Sequence, residues 1–164
     1  MILAGIVGFS AIESHADTGG AEKRIIVGYV ENVEIEDIQT KIKAKLDTGA
    51  QTSSIHANII EQNEDDVIFE IVSDDENVEN KNIKKPIERF VRIKKKRNDG
   101  FIRRPVVKMT FCIAGQRVTE EVNLAERDGF NYDLLIGRNM LEKGMLVVDV
   151  SKTFTSKPNC MPAE

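Results

Sequence analysis

Apolar and polar positions alternate along much of the chain. Ile25, Val27 and Tyr29 alternate with Ile26, Gly28 and Val30, and Ile42, Ala44 and Leu46 alternate with Lys41, Lys43 and Lys45. Successive side chains of a strand point to opposite faces, so the second pattern predicts a half-buried strand with its lysines in water. Residues 67–72, 90–93 and 106–113 are rich in the β-branched and aromatic residues that pack well on a pleated surface. Ala114-Gly115-Gln116 is a tight-turn signal, so 106–113 and 117–124 should form a hairpin. Residues 134–136 and 146–150 are continuous apolar runs of buried-strand length. One short helix is expected, opening near Arg138 and ending by Gly144, a natural C-cap. Many short strands with one helix predict a mainly β protein whose sheet closes into a barrel.

The ends read differently from the body. Residues 1–12 are nearly all apolar and are followed by Ser14-His15-Ala16. This matches the core and cleavage site of a secretory signal over residues 1–16, with a mature chain starting near Asp17. A periplasmic or secreted protein is therefore expected. The alternative is a buried N-terminal element in a cytoplasmic protein. Proline is rare and no Gly/Ser linker interrupts residues 22–157, which read as one domain followed by a tail at 158–164.

Composition narrows the function. With 41% hydrophobic residues, 164 residues suffice for one buried core. A net charge of −4 argues against a nucleic-acid binder driven by overall charge. No apolar run reaches the ~18 residues of a membrane span. With no Trp and 5% aromatic residues, an aromatic-lined cofactor pocket has little to draw on, and no cofactor is expected. The histidines and cysteines (His15, His56, Cys112, Cys160) are scattered, with no His-Glu-x-x-His and no Cys-x-x-Cys, so no metal site is expected. There is no Gly-x-x-x-x-Gly-Lys-[Ser/Thr] loop for ATP. Cys112 reads as a buried apolar residue and Cys160 lies in a Pro-flanked tail. In an exported protein they could pair, and the sequence leaves this open. The middle of the chain is polarised: residues 61–80 hold nine acids and no base, and residues 81–104 hold eleven bases. Exposed hairpins whose opposite charges attract across strands explain this. A basic arm that steers an acidic ligand is the functional reading.

Leu46-Asp47-Thr48-Gly49-Ala50 directly follows an alternating strand. An aspartate on such a turn is held rigidly and can project into a cleft. Thr48 can hydrogen-bond within the turn, and Gly49 allows close backbone approach and an N–H toward the carboxylate. Asp17-Thr18-Gly19 repeats the triplet but follows no strand, so it reads as an N-terminal linker. About 90 residues after Asp47 comes Tyr132-Asp133-Leu134-Leu135-Ile136-Gly137-Arg138-Asn139-Met140-Leu141. Together the two segments resemble the retropepsin-like aspartic proteases. In that fold a Ψ-shaped loop passes the aspartate turn through a strand ending in two apolar residues and Gly, before a short helix. The stretch from Ile42 to Ala57 resembles more closely a bacterial family labelled ATP-dependent zinc protease, whose fold is retropepsin-like.

The resemblance spans about residues 24–154 and implies a closed, barrel-like acid-protease fold. It implies Asp47 as the catalytic residue, with Thr48, Gly49 and Ala50 supporting its turn. Leu135, Ile136, Gly137 and Arg138 would brace the Ψ-loop, where Arg138 either pairs with Asp133 or stands apart from it in solvent. The acidic-then-basic stretch at 61–104 takes the place of a flap, with Lys94, Lys95, Lys96 and Arg97 as candidate substrate contacts. Peptide hydrolysis of this kind needs two carboxylates sharing one proton, because like charges ~3 Å apart cannot both ionise. One chain supplies one such turn, so a homodimer is implied. Relatives are associated with glutamate-ligase enzymes, which implies an acidic, glutamate-rich peptide or protein substrate. Two other readings stand beside this one: a non-catalytic peptide-binding or regulatory module on the same fold, and a metal-dependent peptidase, as the label says. His56 reads as a hydrogen-bonded histidine at a strand end.

Overall fold

The structure is a computed structural model and describes residues 23–75, 78, 81–94 and 100–160. The expected signal segment and Lys95, Lys96 and Arg97 lie outside the described residues. The chain forms β1 (Ile25–Ile35), β2 (Thr40–Leu46), β3 (Ser53–Gln62), β4 (Asp66–Ile71), β5 (Ile83–Pro86), β6 (Arg89–Lys94), β7 (Phe101–Ile113), β8 (Gln116–Ala125), β9 (Leu134–Ile136), α1 (Arg138–Lys143) and β10 (Leu146–Thr153). The sheet runs β10-β1-β2-β9-β3-β8-β7-β6, and β1 also pairs with β7 through Glu34–Cys112 and Ile35–Phe111. That second pairing closes β1, β2, β9, β3, β8 and β7 into a six-stranded barrel. The mainly β barrel with one short helix expected from the alternation is what the chain forms.

The barrel interior is filled by Val33, Ile35, Ile42, Ala44, Ile55, Met109, Phe111, Val122, Leu124, Leu134 and Ile136, all essentially buried. In β2 the burial alternates strictly, with Ile42, Ala44 and Leu46 in and Lys41, Lys43 and Lys45 out. The β7–β8 hairpin turns at Ala114 and Gly115, both with positive φ (51° and 77°), which matches the right-handed twist of the flanking strands. α1 stops at Gly144, as expected. Its φ is −80°, however, and the left-handed residue is the next one, Met145 (φ 52°).

The period-2 pattern fails in several strands: β1, expected to alternate, buries Val27 with Gly28 and Val30 with Glu31, and β3 departs furthest. β3 buries Ser53, Ser54, Ile55, His56 and Ala57 in succession and then exposes its second half. One face of its first half joins the core through Ile55 and Ala57, and on the other Arg127 lies against Ser54 and Asp128 and Asp133 lie beside His56. β5 is four residues long and ends in Pro86, and it pairs only with β4. The opposite charges of the 61–104 region do meet across strands. Lys84 lies 3.4 Å from Asp66, and Arg103 donates to Glu64 at 2.8 Å. Both pairs are exposed, so each adds little stability.

The C-terminal tail is fastened twice. Cys112, buried on β7, is disulfide-bonded to Cys160, closing a loop of 48 residues. In the chain-entropy picture such a loop contributes about 4 kcal/mol. The second fastening is Glu31. A register shift in β1 between Gly28 and Val30 turns Glu31 inward, where it is fully buried. Its Oε1 accepts from the N–H of Gly28 (2.6 Å) and from the N–H and hydroxyl of Thr155 (2.9 and 2.6 Å). Its Oε2 accepts from the N–H and hydroxyl of Ser156 (3.1 and 3.0 Å). Burial pushes the carboxyl pKa up, but the Thr155 hydroxyl and the three backbone donors outweigh it and hold the group below its ordinary value. A depressed folded-state pKa contributes stability that is complete above the unfolded value and is lost as pH falls through the folded one. Glu31→Gln should therefore cost about 2–4 kcal/mol at neutral pH, since an amide turns a donor toward donors. The gap from wild type should narrow as pH falls below 4.5. Urea unfolding at neutral and acid pH checks this, and an equal gap at both would refute the latch.

Candidate active site

Asp47 stands at the end of β2, where the last lysine-flanked apolar residue, Leu46, is anchored in the core. The Asp47 N–H donates to the Ile136 carbonyl at 2.8 Å, which ties the turn to β9. The Gly49 N–H donates to Asp47 Oδ1 at 2.9 Å, and the Ala50 N–H donates to the Asp47 carbonyl at 3.2 Å. This is the turn geometry the triplet predicts. Thr48 and Gly49 are exposed, and the Asp47 carboxylate is 29% exposed. Lys45 Nζ lies 3.6 Å from Asp47 Oδ2, so the carboxylate faces solvent beside a cation.

The second segment clamps the first. β9 lies between β2 and β3, pairing Leu135 with both Lys45 and Ser54, so the strand passes through the turn region as the Ψ-loop requires. Gly137 follows at the closest approach. A Cβ there would sit 2.8 Å from the Thr52 carbonyl carbon and 3.1 Å from the Ala50 oxygen. The Arg138 N–H donates to the Ala50 carbonyl at 2.9 Å, and the Arg138 guanidinium donates to Gln51 Oε1 at 2.8 Å. Arg138 thus braces the aspartate turn through Gln51. The alternative pairing with Asp133 does not form, because Asp133 accepts from Ser73 Oγ (2.8 Å) and lies 3.7 Å from His56 Nδ1.

A polar knot behind the turn was not read from the sequence, although its residues lie in the quoted motifs. Asn139 Oδ1 accepts from both the N–H and the hydroxyl of Ser53, at 3.1 and 3.0 Å. The Gly137 N–H donates to Ser53 Oγ at 2.9 Å, and Asn139 Nδ2 donates to the Glu121 carbonyl at 2.8 Å. The knot fixes α1 against β3 and β8 and holds the 47–53 turn. Gly137→Ala is expected to destabilise the protein by about 1–3 kcal/mol, because the clash is with backbone that cannot rotate away. It should also reduce activity beyond the loss of folded material. A melting curve and specific activity per folded molecule check this, and unchanged values for both would remove Gly137 from the site.

The remaining candidates lie around this centre. β6 and β7 form a two-stranded ribbon rising from the barrel, and Lys94 is exposed at its described end, paired with Phe101. On one face Arg103 stacks over Phe90 at 3.6 Å and Arg92 over Phe101 at 4.6 Å. Between the ribbon and β3 lies a hollow of about 480 Å³ lined by His56, Asn58, Val72, Ile102, Arg104 and Asp128 among others. His56 lies inside β3, as its fourth residue, and not at the strand end expected. Its backbone N–H donates to the Asp133 carbonyl at 2.7 Å, and its ring lies 3.4 Å from Asp128 and 3.7 Å from Asp133. Arg127, absent from the sequence reading, is buried beside Ser54 and Tyr132. Among the described residues, no three His, Cys, Asp or Glu side chains converge as metal ligands, so a zinc site has no donor set there. No helix among them is long and apolar enough to cross a membrane.

Comparison with known proteins places the chain in a family. A family model described as RimB-like, retropepsin-like aspartic endopeptidase RimB, matches residues 26–159. A Legionella pneumophila protein of unknown function, Lpg0085, is 31% identical in its crystal structure, with a TM-score of 0.68. The match covers 82% of this chain and 100% of that one. The solution structure of the simian foamy virus protease is 17% identical with a TM-score of 0.41, over 69% of this chain and 91% of that one. No curated protein matches.

Proposed function

Because this chain belongs to the RimB-like family of retropepsin-like aspartic endopeptidases, we propose that it hydrolyses peptide bonds with a pair of Asp47 carboxylates. One comes from each subunit of a homodimer. The observation that carries the reading is the Asp47 turn, held open to solvent by its own Gly49 N–H and clamped by β9, Gly137 and the Ser53–Asn139 knot. The clamp holds the backbone of the turn and the Gly49 N–H orients its carboxylate, which is the preorganisation a catalytic group needs.

The chemistry follows from the pair. Two such carboxylates at a two-fold axis hold one proton between them. The ionised one takes a proton from water as it attacks the peptide carbonyl. The protonated one donates to the carbonyl oxygen as negative charge develops there, and later a proton passes to the leaving nitrogen. Lys45, next to Asp47, adds a cation beside a dyad of net charge −1. The β6–β7 ribbon serves as the flap, and the run Lys94, Lys95, Lys96 and Arg97 supplies positive charge that favours an acidic peptide substrate. The Cys112–Cys160 disulfide supports an oxidising compartment, periplasmic or extracellular.

The test is peptide cleavage by wild type, by Asp47→Asn, and by wild type with a chelator, in parallel. Loss with the variant alone supports the aspartic mechanism. Loss with the chelator would support the metal-dependent reading, and no cleavage by any of them a binding module.

A further inference from the structure

Arg127 is a charge without a counter-ion. It is 8% exposed, on the turn between β8 and β9. Its hydrogen bonds go to neutral acceptors, Nε to the Tyr132 carbonyl at 3.0 Å and Nη1 to Ser54 Oγ at 2.8 Å, and Phe130 covers its face at 4.7 Å. No carboxylate among the described residues lies within ion-pair distance of it, whereas Glu31, the other buried charge among them, has five dedicated donors. Among the described residues Nη2 carries no hydrogen bond, and no side-chain polar atom shut off from solvent lacks a partner, so this nitrogen keeps some contact with solvent. Burial lowers the guanidinium pKa, Asp133 and Asp47 oppose the shift, and the nearby Arg104 adds to it. Arg104, half-buried at the flap root, has no ion pair either. A buried cation is costly unless paired, and a second cation within reach raises that cost.

The surroundings locate the missing partner. Ser54, which holds Nη1, pairs with Leu135 next to the Asp47 clamp, and Arg127 is within electrostatic reach of Asp47 itself. Arg127 also lines a hollow of about 220 Å³ with His56, Ser73, Asp74, Asp128 and Asp133. Among the described residues none of those aspartates lies within ion-pair distance of Arg127. Asp133 is held by Ser73 and His56, Asp128 faces His56, and Asp74 is exposed.

We infer that Arg127 is a specificity-determining residue, whose free guanidinium edge takes a carboxylate of the bound peptide within reach of Asp47. The assignment rests on the peptidase reading for its role but not for its test. Guanidinium–carboxylate bonds are short and charge-assisted, and their bidentate geometry discriminates against the neutral amide. The carboxylate can be a Glu or Asp side chain or a peptide C-terminus.

Binding is measured on the full chain carrying Asp47→Asn, with three peptides of one sequence: Glu-containing and amidated, Gln-containing and amidated, and Gln-containing with a free C-terminus. At least one carboxylate peptide should bind about tenfold or more tightly than the Gln amide, and which one identifies the source. Arg127→Gln should bring all three within about twofold, and Arg127→Lys should keep part of the difference. The Arg127 Nε–H resonance should shift on titration with the preferred peptide and not with the Gln amide, a reading that needs no change at Arg127. Equal binding of the three peptides, an unmoved resonance, or a preference that survives Arg127→Gln in a folded protein would overturn the assignment. Cleavage by wild type without any carboxylate preference would refute the subsite and keep the peptidase. A preference in a wild type that cleaves none of the three would do the reverse.

Discussion

Asp47→Asn is expected to lower kcat/KM for peptide cleavage by about 1,000-fold or more, with little change in melting temperature. The substitution keeps the shape of the side chain and an oxygen to accept the Gly49 N–H, now 2.9 Å from Asp47 Oδ1. The clamp around the turn is made by backbone and by Ser53, Asn139 and Gly137, and none of these contacts uses the Asp47 carboxylate. The loss of the Lys45 contact, between partly exposed groups, costs at most about 1 kcal/mol. Chemistry suffers differently. An amide cannot take a proton from water or share one with a second carboxylate, and proton transfer by a positioned group contributes about 100- to 10,000-fold. Asp17→Asn, in the other Asp-Thr-Gly triplet, should leave turnover unchanged. Near-normal cleavage by Asp47→Asn, or its abolition by Asp17→Asn, would refute the assignment.

The parts of the molecule that were legible in the sequence are those where a local rule and the tertiary environment agree. β2 has water on one face and core on the other, so its Lys/apolar alternation survives into the structure. The 114–116 turn needs two left-handed residues, and Gly115 advertises one of them. The Asp47 turn and the segment 134–141 carry their chemistry in short contiguous motifs, so both the turn and its clamp could be anticipated.

What stayed hidden depends on residues far apart in sequence. β3 lost its alternation because Arg127, Asp128 and Asp133, more than 70 residues on, cover the outward-facing Ser54 and His56 of its first half. Glu31 carries no signal in the sequence, because its donors on Thr155 and Ser156 lie 124 and 125 residues away. Arg127 sits in a charged turn of ordinary composition, and only the three-dimensional contacts show that it is buried with neutral partners alone. Arg138 and Asp133 are close in sequence, but Gln51 and His56 compete for them, and geometry decides.

Mixing active and inactive chains should poison the enzyme out of proportion to dilution. A shared dyad needs one Asp47 from each subunit at an isologous interface, so a mixed dimer carries a single carboxylate and no shared proton. With nine parts Asp47→Asn to one part wild type, random pairing leaves about one dimer in a hundred with both carboxylates. Activity per wild-type chain should then fall to about a tenth, once subunits have exchanged. A site complete in one chain would lose nothing. Dilution offers an independent check, because specific activity should collapse as the dimer dissociates, in step with the monomer fraction seen by sedimentation velocity. Alkaline pH should shift both curves together. Removing the shared proton leaves two ionised carboxylates facing each other, which stops the chemistry and loosens the dimer by repulsion. Activity per wild-type chain that is independent of both the mixing ratio and the dilution would rule out a dyad built from two copies.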